Sequence, residues 1–300
     1  MKVLITGSNG LLGQKLVDAY RKIDGAQLIA TAKGADRYPE KEGYIFESLD
    51  ITIQNEVNQI IIKHKPDVVI NTAAMTNVDA CETDHAGCDA LNIDAVKNLA
   101  DACNTIGAHF IHVSTDFIFD GTHGPLDENE QPNPISYYGN SKWSGEKTVI
   151  ENANSWAILR TVLVYGVVSD MSRSNIVLWA KNNLEQQKNI NVVDDQFRTP
   201  TLAEDLAQGC ILAANKKAKG IYHISGKNFL SVFDIVFRVA DFWDLNKSLI
   251  HISSSEDIKQ PAKRPPITGF RIDKAIKELG YHPHSFEEGL AIIKEQLSRQ

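Results

Sequence analysis

The sequence has few cysteines, no excess of basic residues and no long apolar run. Its four cysteines, Cys81, Cys88, Cys103 and Cys210, form no CxxC pair and match no zinc-ligand spacing. We therefore interpret them as free thiols in a reducing compartment and expect no metal site. The formal net charge is -7, with lysines and arginines scattered along the chain. This argues against a nucleic-acid partner, because binding phosphates along a strand needs a basic stripe.

The chain also lacks the marks of a membrane or secreted protein. No apolar run approaches the roughly 20 residues that a helix needs to cross a bilayer. The chain opens with MKVLITG and enters an apolar strand pattern directly, without the basic and long apolar regions of a secretory signal. We expect a cytoplasmic protein with no membrane contact.

Short β-branched runs alternate with helical patterns over the first half of the chain. We predict strands at 2–6, 27–31, 44–50, 67–74 and 109–115, and helices at about 11–21, 53–65 and 89–106. This rhythm is typical of buried parallel strands joined by crossover helices. The sequence thus predicts an α/β fold with a Rossmann-like, doubly wound parallel sheet.

The pattern loosens after 156–166, where loops and prolines become frequent. A helix at 201–214 and a strand at 220–226 are still predicted. We expect a dinucleotide-binding domain over 1–165, with 199–226 packing back onto it. A smaller, interwoven C-terminal substrate lobe would occupy mainly 166–300.

The stretch TGSNGLLG lies between the first strand and the first helix. Gly7 would permit the tight turn, Gly10 the close approach of a pyrophosphate, and Gly13 the close packing of helix on strand. Leu11 and Leu12 would offer their amides at the helix N-terminus. The spacing is GxxGxxG, and its position after an apolar strand favours dinucleotide binding over a structural turn.

The end of the second strand bears on which dinucleotide is bound. NAD-binding folds place an acidic residue there to hold the ribose hydroxyl, but this strand ends Thr31-Ala32-Lys33. Lys33 and Arg37 could instead meet a 2′-phosphate, although either could equally be a solvated loop cation. We predict NADP(H) as the preferred cofactor and NAD(H) as the alternative.

The stretch NPISYYGNSKWSGEK contains a tyrosine and a lysine four residues apart, Tyr138 and Lys142. Ser136 is a candidate N-cap, so both side chains would share one face of a helix. The ammonium would lower the tyrosine pKa, which makes the phenol a usable proton donor and acceptor. Tyr137 points elsewhere, and we interpret it as a packing residue.

Polar side chains follow the strand at 109–115, where ligands of open α/β sheets bind. Thr115 could hydrogen-bond a substrate carbonyl beside Tyr138, with Ser114 and Asp116 next to it. An ordinary turn is the alternative interpretation of these three residues.

Together these motifs resemble the extended short-chain dehydrogenase/reductase family. The resemblance covers nearly the whole chain, and the most similar subfamily is the dTDP-4-dehydrorhamnose reductases. It rests on TGSNGLLG (6–13), SLDIT (48–52), NTAAMTNVDACETD (71–84), STDFIFDG (114–121), YGNSK (138–142), DDQFRTPTLAEDLA (194–207) and KRPPITGFRIDK (263–274).

The resemblance implies a role for each matching residue. Tyr138 would be the acid/base, Lys142 would hold the nicotinamide ribose, and Thr115, with Asp116, would position the substrate. Further cofactor contacts would come from Asp50, Ile51, Ala73, Ala74 and Asn92. Two arginines, Arg198 and Arg264, are candidates for the diphosphate of a nucleotide sugar, with interlobe salt bridges as the alternative.

The sequence departs from the motifs of related enzymes at two positions, and both bear on which reaction is catalysed. Related 4,6-dehydratases carry a glutamate where this chain has Phe117, which cannot transfer a proton. Related reductases carry a tryptophan where this chain has Leu163, so the motif does not determine which sugar is the substrate. The resemblance therefore implies a reductase of a 4-keto nucleotide sugar, with a homodimer as its assembly. An epimerase, a reductase for another sugar, and a non-catalytic regulatory subunit are the alternatives.

Overall fold

A computed structural model of the protein describes residues 1–169, 174–256 and 260–299. The described residues form strands along most of the chain. They are β1 (Lys2–Thr6), β2 (Gln27–Ala32), β3 (Ile45–Ser48), β4 (Val68–Asn71), β5 (His109–Thr115), β6 (Trp156–Thr161), β7 (Val164–Tyr165), β8 (Ile190–Val193), β9 (Phe197–Arg198), β10 (Thr201–Leu202), β11 (Gly220–His223), β12 (Leu230–Ser231) and β13 (Ile250–Ser253).

The helices are α1 (Leu11–Tyr20), α2 (Gln54–His64), α3 (Val78–Thr83), α4 (His85–Asp89), α5 (Ala95–Ile106), α6 (Tyr137–Asn152), α7 (Ile176–Glu185), α8 (Ala203–Lys216), α9 (Val232–Phe242) and α10 (Phe286–Leu297). A π-helical turn (Ala90–Asp94) joins α4 to α5. The predicted helix at 89–106 is therefore irregular in its first turn.

Seven strands form one parallel sheet in the order β11-β6-β5-β4-β1-β2-β3. The chain passes outward from β1 to β3 and then returns to β4 on the other side of β1. This reversal puts the crevice of a doubly wound sheet between β1 and β4. The predicted fold class is confirmed, and the predicted strand at 220–226 is found as the edge strand β11.

Both faces of the sheet are covered by helices. On one face α1 and α8 pack against Val3, Ile5 and Ile70, and on the other face α2 and α5 pack against Leu4, Val69 and Phe110. Buried parallel strands must be apolar on both sides, which explains their nearly continuous β-branched runs.

The remaining elements form a smaller lobe. Its core lies between α7, α9 and α10, and it includes the short parallel pair of β8 with β13. Ser231 and Ser285 begin α9 and α10 with reciprocal capping boxes, which satisfy backbone amides that would otherwise lack partners. In the part of the chain that the structure describes, no helix is long and apolar enough to span a bilayer.

Candidate active site

A cavity of about 830 Å³ opens at the carboxyl ends of the central strands, beside the reversal of strand order. The cavity has two ends. The glycine end is lined by Gly7, Gly10, Gly13, Lys33 and Arg37, and the arginine end by Phe117, Leu163 and Arg264. Thr115, Tyr138 and Lys142 line the wall that joins them. Ala73, Ala74, Leu11, Leu12 and Asp116 also line the cavity.

The glycine turn is built by close backbone approaches. Gly7 has a φ of +71°, and a Cβ on it would lie 2.9 Å from the Ala73 backbone. A Cβ on Gly13 would lie 2.2 Å from the Gly7 carbonyl oxygen, so only glycine brings α1 this near β1. Gly10 is the N-cap of α1 and makes no side-chain capping bond. The first amides of α1 are therefore available to an anionic group at the glycine end.

Asn9 holds the loop that follows β2. Its side-chain amide donates to the Ala35 carbonyl over 2.8 Å and accepts from the Arg37 backbone N–H over 2.8 Å. The bonds hold the loop that carries Lys33 and Arg37, and both residues line the cavity. Sequence reasoning missed Asn9, although it stands inside the glycine motif itself.

Lys33 pairs with the residue that the resemblance assigned to the adenine contact. Its Nζ lies 2.7 Å from Asp50 Oδ2, and the lysine side chain is 80% exposed. Burial opposes the shift, but hydrogen bonds from Lys33 and Thr52 lower the pKa of Asp50. Asp50 and Ile51 do not line the cavity in this structure, because Asp50 turns to these partners and Ile51 is buried in the core.

Tyr138 and Lys142 lie one turn apart on α6. Ser136 caps this helix by accepting from the Gly139 N–H, as the sequence predicts. Both side chains are buried, with exposures of 8% for Tyr138 and 2% for Lys142. The tyrosine ring packs edge-on against Phe117, with centroids 5.6 Å apart. Tyr137 instead donates to Asp89 over 2.8 Å and stacks on His85, in agreement with a packing role.

The electrostatics of this pair differ from the sequence prediction. Burial raises the pKa of Tyr138, and the neighbouring Thr115 hydroxyl works in the opposite direction. Lys142 is not among the causes of the shift. Its Nζ donates to the Val113 carbonyl over 2.8 Å and lies 3.2 Å from His112 Nε2. Burial lowers the pKa of Lys142 to about 8. The predicted lowering of the Tyr138 pKa by Lys142 is therefore not seen in this structure.

Asn92 is fully buried behind the cavity wall, in the π-helical turn. Its amide accepts from the Met75 N–H over 2.9 Å and donates to the Ser141 hydroxyl over 2.9 Å. It therefore joins the loop after β4 to α6. Such turns often occur at functional sites, because they redirect one side chain out of the helical repeat. Asn92 thus fixes the geometry of the site and does not itself line the cavity.

Asp116 lies under the arginine end and is 2% exposed. It accepts from the hydroxyls of Thr115 over 3.0 Å and Thr268 over 2.5 Å. Burial raises the pKa of its carboxyl, while Arg198, whose Nε is 3.8 Å away, lowers it. These contacts tie the end of β5, which carries Thr115, to the loops that carry Arg198 and Thr268.

The two predicted diphosphate arginines have different surroundings. Arg198 is 3% exposed and donates to the carbonyls of Phe197, Pro265 and Pro266, so it does not line the cavity. These carbonyls and Asp116 are the partners of the Arg198 guanidinium within the protein. Arg264 lines the cavity and pairs with both carboxylate oxygens of Asp79, at 3.2 and 2.9 Å.

Leu163 stands at the arginine end with a φ of 39°. The left-handed region is unfavourable for a leucine and costs of order 1–3 kcal/mol, so the surrounding packing must hold it there. Its side chain packs against both neighbouring apolar clusters. The position therefore shapes the cavity wall, although the aromatic residue of related reductases is absent.

A doubly wound sheet, an uncapped glycine turn and a buried Tyr–Lys pair on one cavity define the extended short-chain dehydrogenases/reductases, which are NAD(P)-dependent oxidoreductases. The chain belongs to the family described as RmlD substrate binding domain, which matches residues 1–299. The resemblance inferred from the motifs is thereby confirmed.

Solved structures of similar proteins agree with this assignment. A dTDP-4-dehydrorhamnose reductase from Clostridium acetobutylicum shares 30% sequence identity, with a TM-score of 0.87 over 99% of this chain and 100% of that one. A dTDP-4-dehydrorhamnose reductase from Bacillus anthracis in complex with NADP shares 28%, with a TM-score of 0.84 over 98% and 99%. These neighbours support a nicotinamide cofactor and a nucleotide-sugar reductase or epimerase.

A relative of another kind is also similar. Methionine adenosyltransferase 2 subunit beta from Bos taurus is 33% identical over 252 residues, which are 82% of this chain and 73% of that protein.

Proposed function

We propose that this protein is an NADP(H)-preferring reductase of a 4-keto nucleotide sugar, with a dTDP-linked sugar as its substrate. The observation that carries the proposal is that Thr115, Tyr138 and Lys142 line the same cavity wall, with Tyr138 and Lys142 one turn apart on α6. The similarity to dTDP-4-dehydrorhamnose reductases supports the sugar and the nucleotide.

The residues present fit a nicotinamide dinucleotide. The glycine turn and the α1 amides would hold its pyrophosphate, Ala73 and Ala74 would pass beside it, and Lys142 would lie near its ribose. The bound cofactor would supply hydride to the carbonyl carbon of the sugar. Lys33 and Arg37 support the preference for NADP(H), because both line the glycine end where a 2′-phosphate would lie.

Tyr138 would protonate the carbonyl oxygen while Thr115 holds it. Burial raises the pKa of Tyr138, so the phenol carries its proton at neutral pH and can act as the acid. Phe117, which packs on the Tyr138 ring, offers no second carboxylate, which favours reduction over elimination of water.

A pair of adjacent tyrosines tests the mechanism. We expect Tyr138→Phe to lower kcat for NADPH oxidation by roughly 100-fold or more, because the proton donor is lost. Tyr137→Phe removes a phenol from the same helix turn and should keep turnover. Fluorescence titration with NADPH would show that both variants still bind the cofactor. Full turnover by Tyr138→Phe with cofactor bound would end the proposal.

A panel of nucleotide sugars identifies the substrate. Thermal shift with dTDP-, UDP-, GDP- and CDP-sugars in the presence of NADPH should favour the dTDP-sugar, because a ligand of the native state raises its apparent stability. Mass spectrometry of the product then separates the reactions, since reduction adds two hydrogens and epimerisation adds none.

A non-catalytic regulatory subunit is the second candidate, and the methionine adenosyltransferase subunit favours it. That role predicts no NADPH oxidation with any sugar of the panel, together with a partner protein that co-purifies. The intact Thr115, Tyr138 and Lys142 favour the enzyme.

We further propose that the chain divides functionally near residue 165, with 166–300 supplying most of the substrate lobe and 199–226 returning to the sheet. The pairing of β11 with β6 supports the return. The four cysteines of the chain are free and buried, which supports a cytoplasmic location. A homodimer is part of the proposal, and light scattering tests it.

A further inference from the structure

Asp79, in the first turn of α3, holds the loop that carries Arg264 at the arginine end of the cavity. Arg264 Nη1 and Nη2 donate to the two carboxylate oxygens of Asp79, at 3.2 and 2.9 Å. The backbone N–H of Ala262 donates to the same carboxylate over 3.2 Å, and the carbonyl of Ala262 accepts from Arg264 Nη1 over 3.1 Å. The carboxylate therefore fixes both the guanidinium and the backbone that carries it.

These contacts leave one edge of the Arg264 guanidinium available. A guanidinium has five N–H donors. Both donors of Nη1 are engaged, one with Asp79 and one with the Ala262 carbonyl, and one donor of Nη2 is engaged with Asp79. The second N–H of Nη2 and the N–H of Nε have no acceptor among the residues that the structure describes. These two donors lie side by side, and we call them the Nε–Nη2 edge.

The corresponding edge of another arginine already holds an anionic group in this protein. Arg160 donates from Nε and Nη2 to the carboxylate of Glu146, at 2.7–3.2 Å. A fork of this kind matches two oxygens of a carboxylate or a phosphate. The Nε–Nη2 edge of Arg264 can therefore bind such a group while the guanidinium remains paired with Asp79.

The position of Arg264 makes a ligand the natural partner of this edge. Its side chain is 19% exposed and lines the cavity. Arg198 is buried beside Asp116 and does not line the cavity. Among the described residues that line the arginine end, Arg264 is thus the one basic side chain. An anionic group of a ligand at this end would meet Arg264.

The Asp79 carboxylate keeps its charge in this arrangement. The hydrogen bond from Arg264 is the largest influence and lowers the pKa of Asp79, the Ala262 N–H acts in the same direction, and burial opposes both. Asp79 is therefore ionised at neutral pH, and its pairing with Arg264 is present under the conditions of turnover.

We propose that Asp79 is a positioning residue that holds Arg264 with its Nε–Nη2 edge ready to bind the diphosphate of the nucleotide sugar. The inference rests on the proposed function. Asp79 and the diphosphate use different N–H groups of Arg264, so they do not compete for it. Asp79 should therefore strengthen the binding of a ligand that has the same sign of charge as itself.

The first experiment compares dTDP with thymidine, which lacks both phosphates. Isothermal titration calorimetry is done on the full chain with NADPH present, so that the cofactor fills the glycine end. We expect Asp79→Asn to weaken dTDP binding by about tenfold and to leave thymidine binding unchanged. Tighter binding of dTDP would mean that Asp79 competes with the phosphates, and it would overturn the proposal, as would an unchanged affinity.

Glu82→Gln is the matched control for the lost charge. It also removes one negative charge from α3, but it keeps an oxygen for the backbone N–H of Tyr137, which Glu82 accepts over 2.7 Å. It should not weaken dTDP binding, and Asp79→Glu should bind dTDP more tightly than Asp79→Asn. A loss in Glu82→Gln as large as that in Asp79→Asn would assign the effect to charge alone and refute the positioning role.

A double-mutant cycle tests whether Asp79 acts through Arg264. Arg264→Lys keeps the positive charge but has no planar edge, so it should weaken dTDP binding by about tenfold. Asp79→Asn should then cause no further loss in the Arg264→Lys background, whereas additive losses would contradict the proposal. In turnover, Asp79→Asn should raise the KM for the nucleotide sugar by a similar factor and keep kcat, because Asp79 touches no reacting atom.

Failure of the proposed function gives a different result. In that case the unmodified protein reduces no nucleotide sugar and does not bind dTDP. Arginine ¹⁵N NMR with NADPH and inorganic pyrophosphate then still decides the role of the edge, with Arg264→Lys assigning the Arg264 Nε–H signal by its loss. A shift of this signal on adding pyrophosphate, reduced in Asp79→Asn, would support the positioning role. The absence of a shift would overturn it.

Discussion

The glycine end and the arginine end of the cavity are built in different ways. At the glycine end the wall is mostly backbone, and a Cβ on Gly7 or Gly13 would collide with neighbouring backbone atoms. At the arginine end the wall is side chains, and its basic group, Arg264, already pairs with Asp79. Backbone walls fix the position of a common cofactor, whereas side-chain walls can change with the substrate.

The largest effect on stability should come from replacing Arg198, which is buried in the fold. Arg198→Met leaves Asp116 buried without its cation and three carbonyls without a donor, which should cost about 3–5 kcal/mol of unfolding free energy. Arg264→Met is the control, because its partly exposed pair with Asp79 should be worth less than about 1 kcal/mol. Urea denaturation measures both. Equal losses would mean that the two arginines have the same role.

Alanine substitutions at the glycine end should lower the free energy of unfolding through steric clashes alone. Gly13→Ala puts a Cβ 2.2 Å from the Gly7 carbonyl oxygen, whereas Gly10→Ala puts one 3.2 Å from the same oxygen. We expect a loss of about 2–3 kcal/mol for the first and about 1 kcal/mol or less for the second. Urea midpoints without cofactor test this. Similar midpoints for the two variants would show that the turn can relax.

Replacing Lys142 should stabilise the protein. Its folded-state pKa of about 8 lies below the ordinary value of 10.5, so the folded state disfavours the charged form. This cost is complete below the folded pKa and disappears as the pH rises to the unfolded one. Lys142→Met should therefore gain about 1–2 kcal/mol at neutral pH, after the loss of the His112 bond is subtracted.

That gain should vanish towards pH 10.5, the ordinary lysine value. Denaturation across this range checks the slope, with Lys22→Met as an exposed control. A gain that does not change with pH would contradict a buried lysine whose pKa is lowered on folding.

The smallest effect on stability is expected for Lys33→Ala, because the lysine is exposed and its ion pair with Asp50 is solvated. The KM for NADPH should rise several-fold, and the KM for NADH should stay constant. Lys22→Ala is a matched control, since Lys22 is also exposed and has one carboxylate partner at 2.8 Å. Equal changes for the two coenzymes would contradict a 2′-phosphate contact.

The sequence predicted the local features well. The parallel strands, the glycine turn and the Ser136 cap each depend on residues close together in the chain, so their patterns are visible without the fold. Tyr138 and Lys142 were predicted on one helix face for the same reason.

The sequence did not reveal features that depend on distant neighbours. The Asn71–His112 contact needs the register of two strands 41 residues apart, and the burial of Arg198 needs carbonyls 67 and 68 residues away. The pKa of Tyr138 was predicted from Lys142 alone, whereas burial by the surrounding elements decides its direction.

The position of β11 has a consequence for the order in which the protein can fold during its synthesis. The ribosome releases β1 to β6 before α8, whose Leu206, Cys210 and Ile211 cover one face of those strands. Until α8 and β11 emerge, the nascent chain carries a bare apolar face and an unpaired edge on β6. Chaperone contacts should therefore be needed most while residues 161–223 are being made, and termination in that interval should yield an aggregating product.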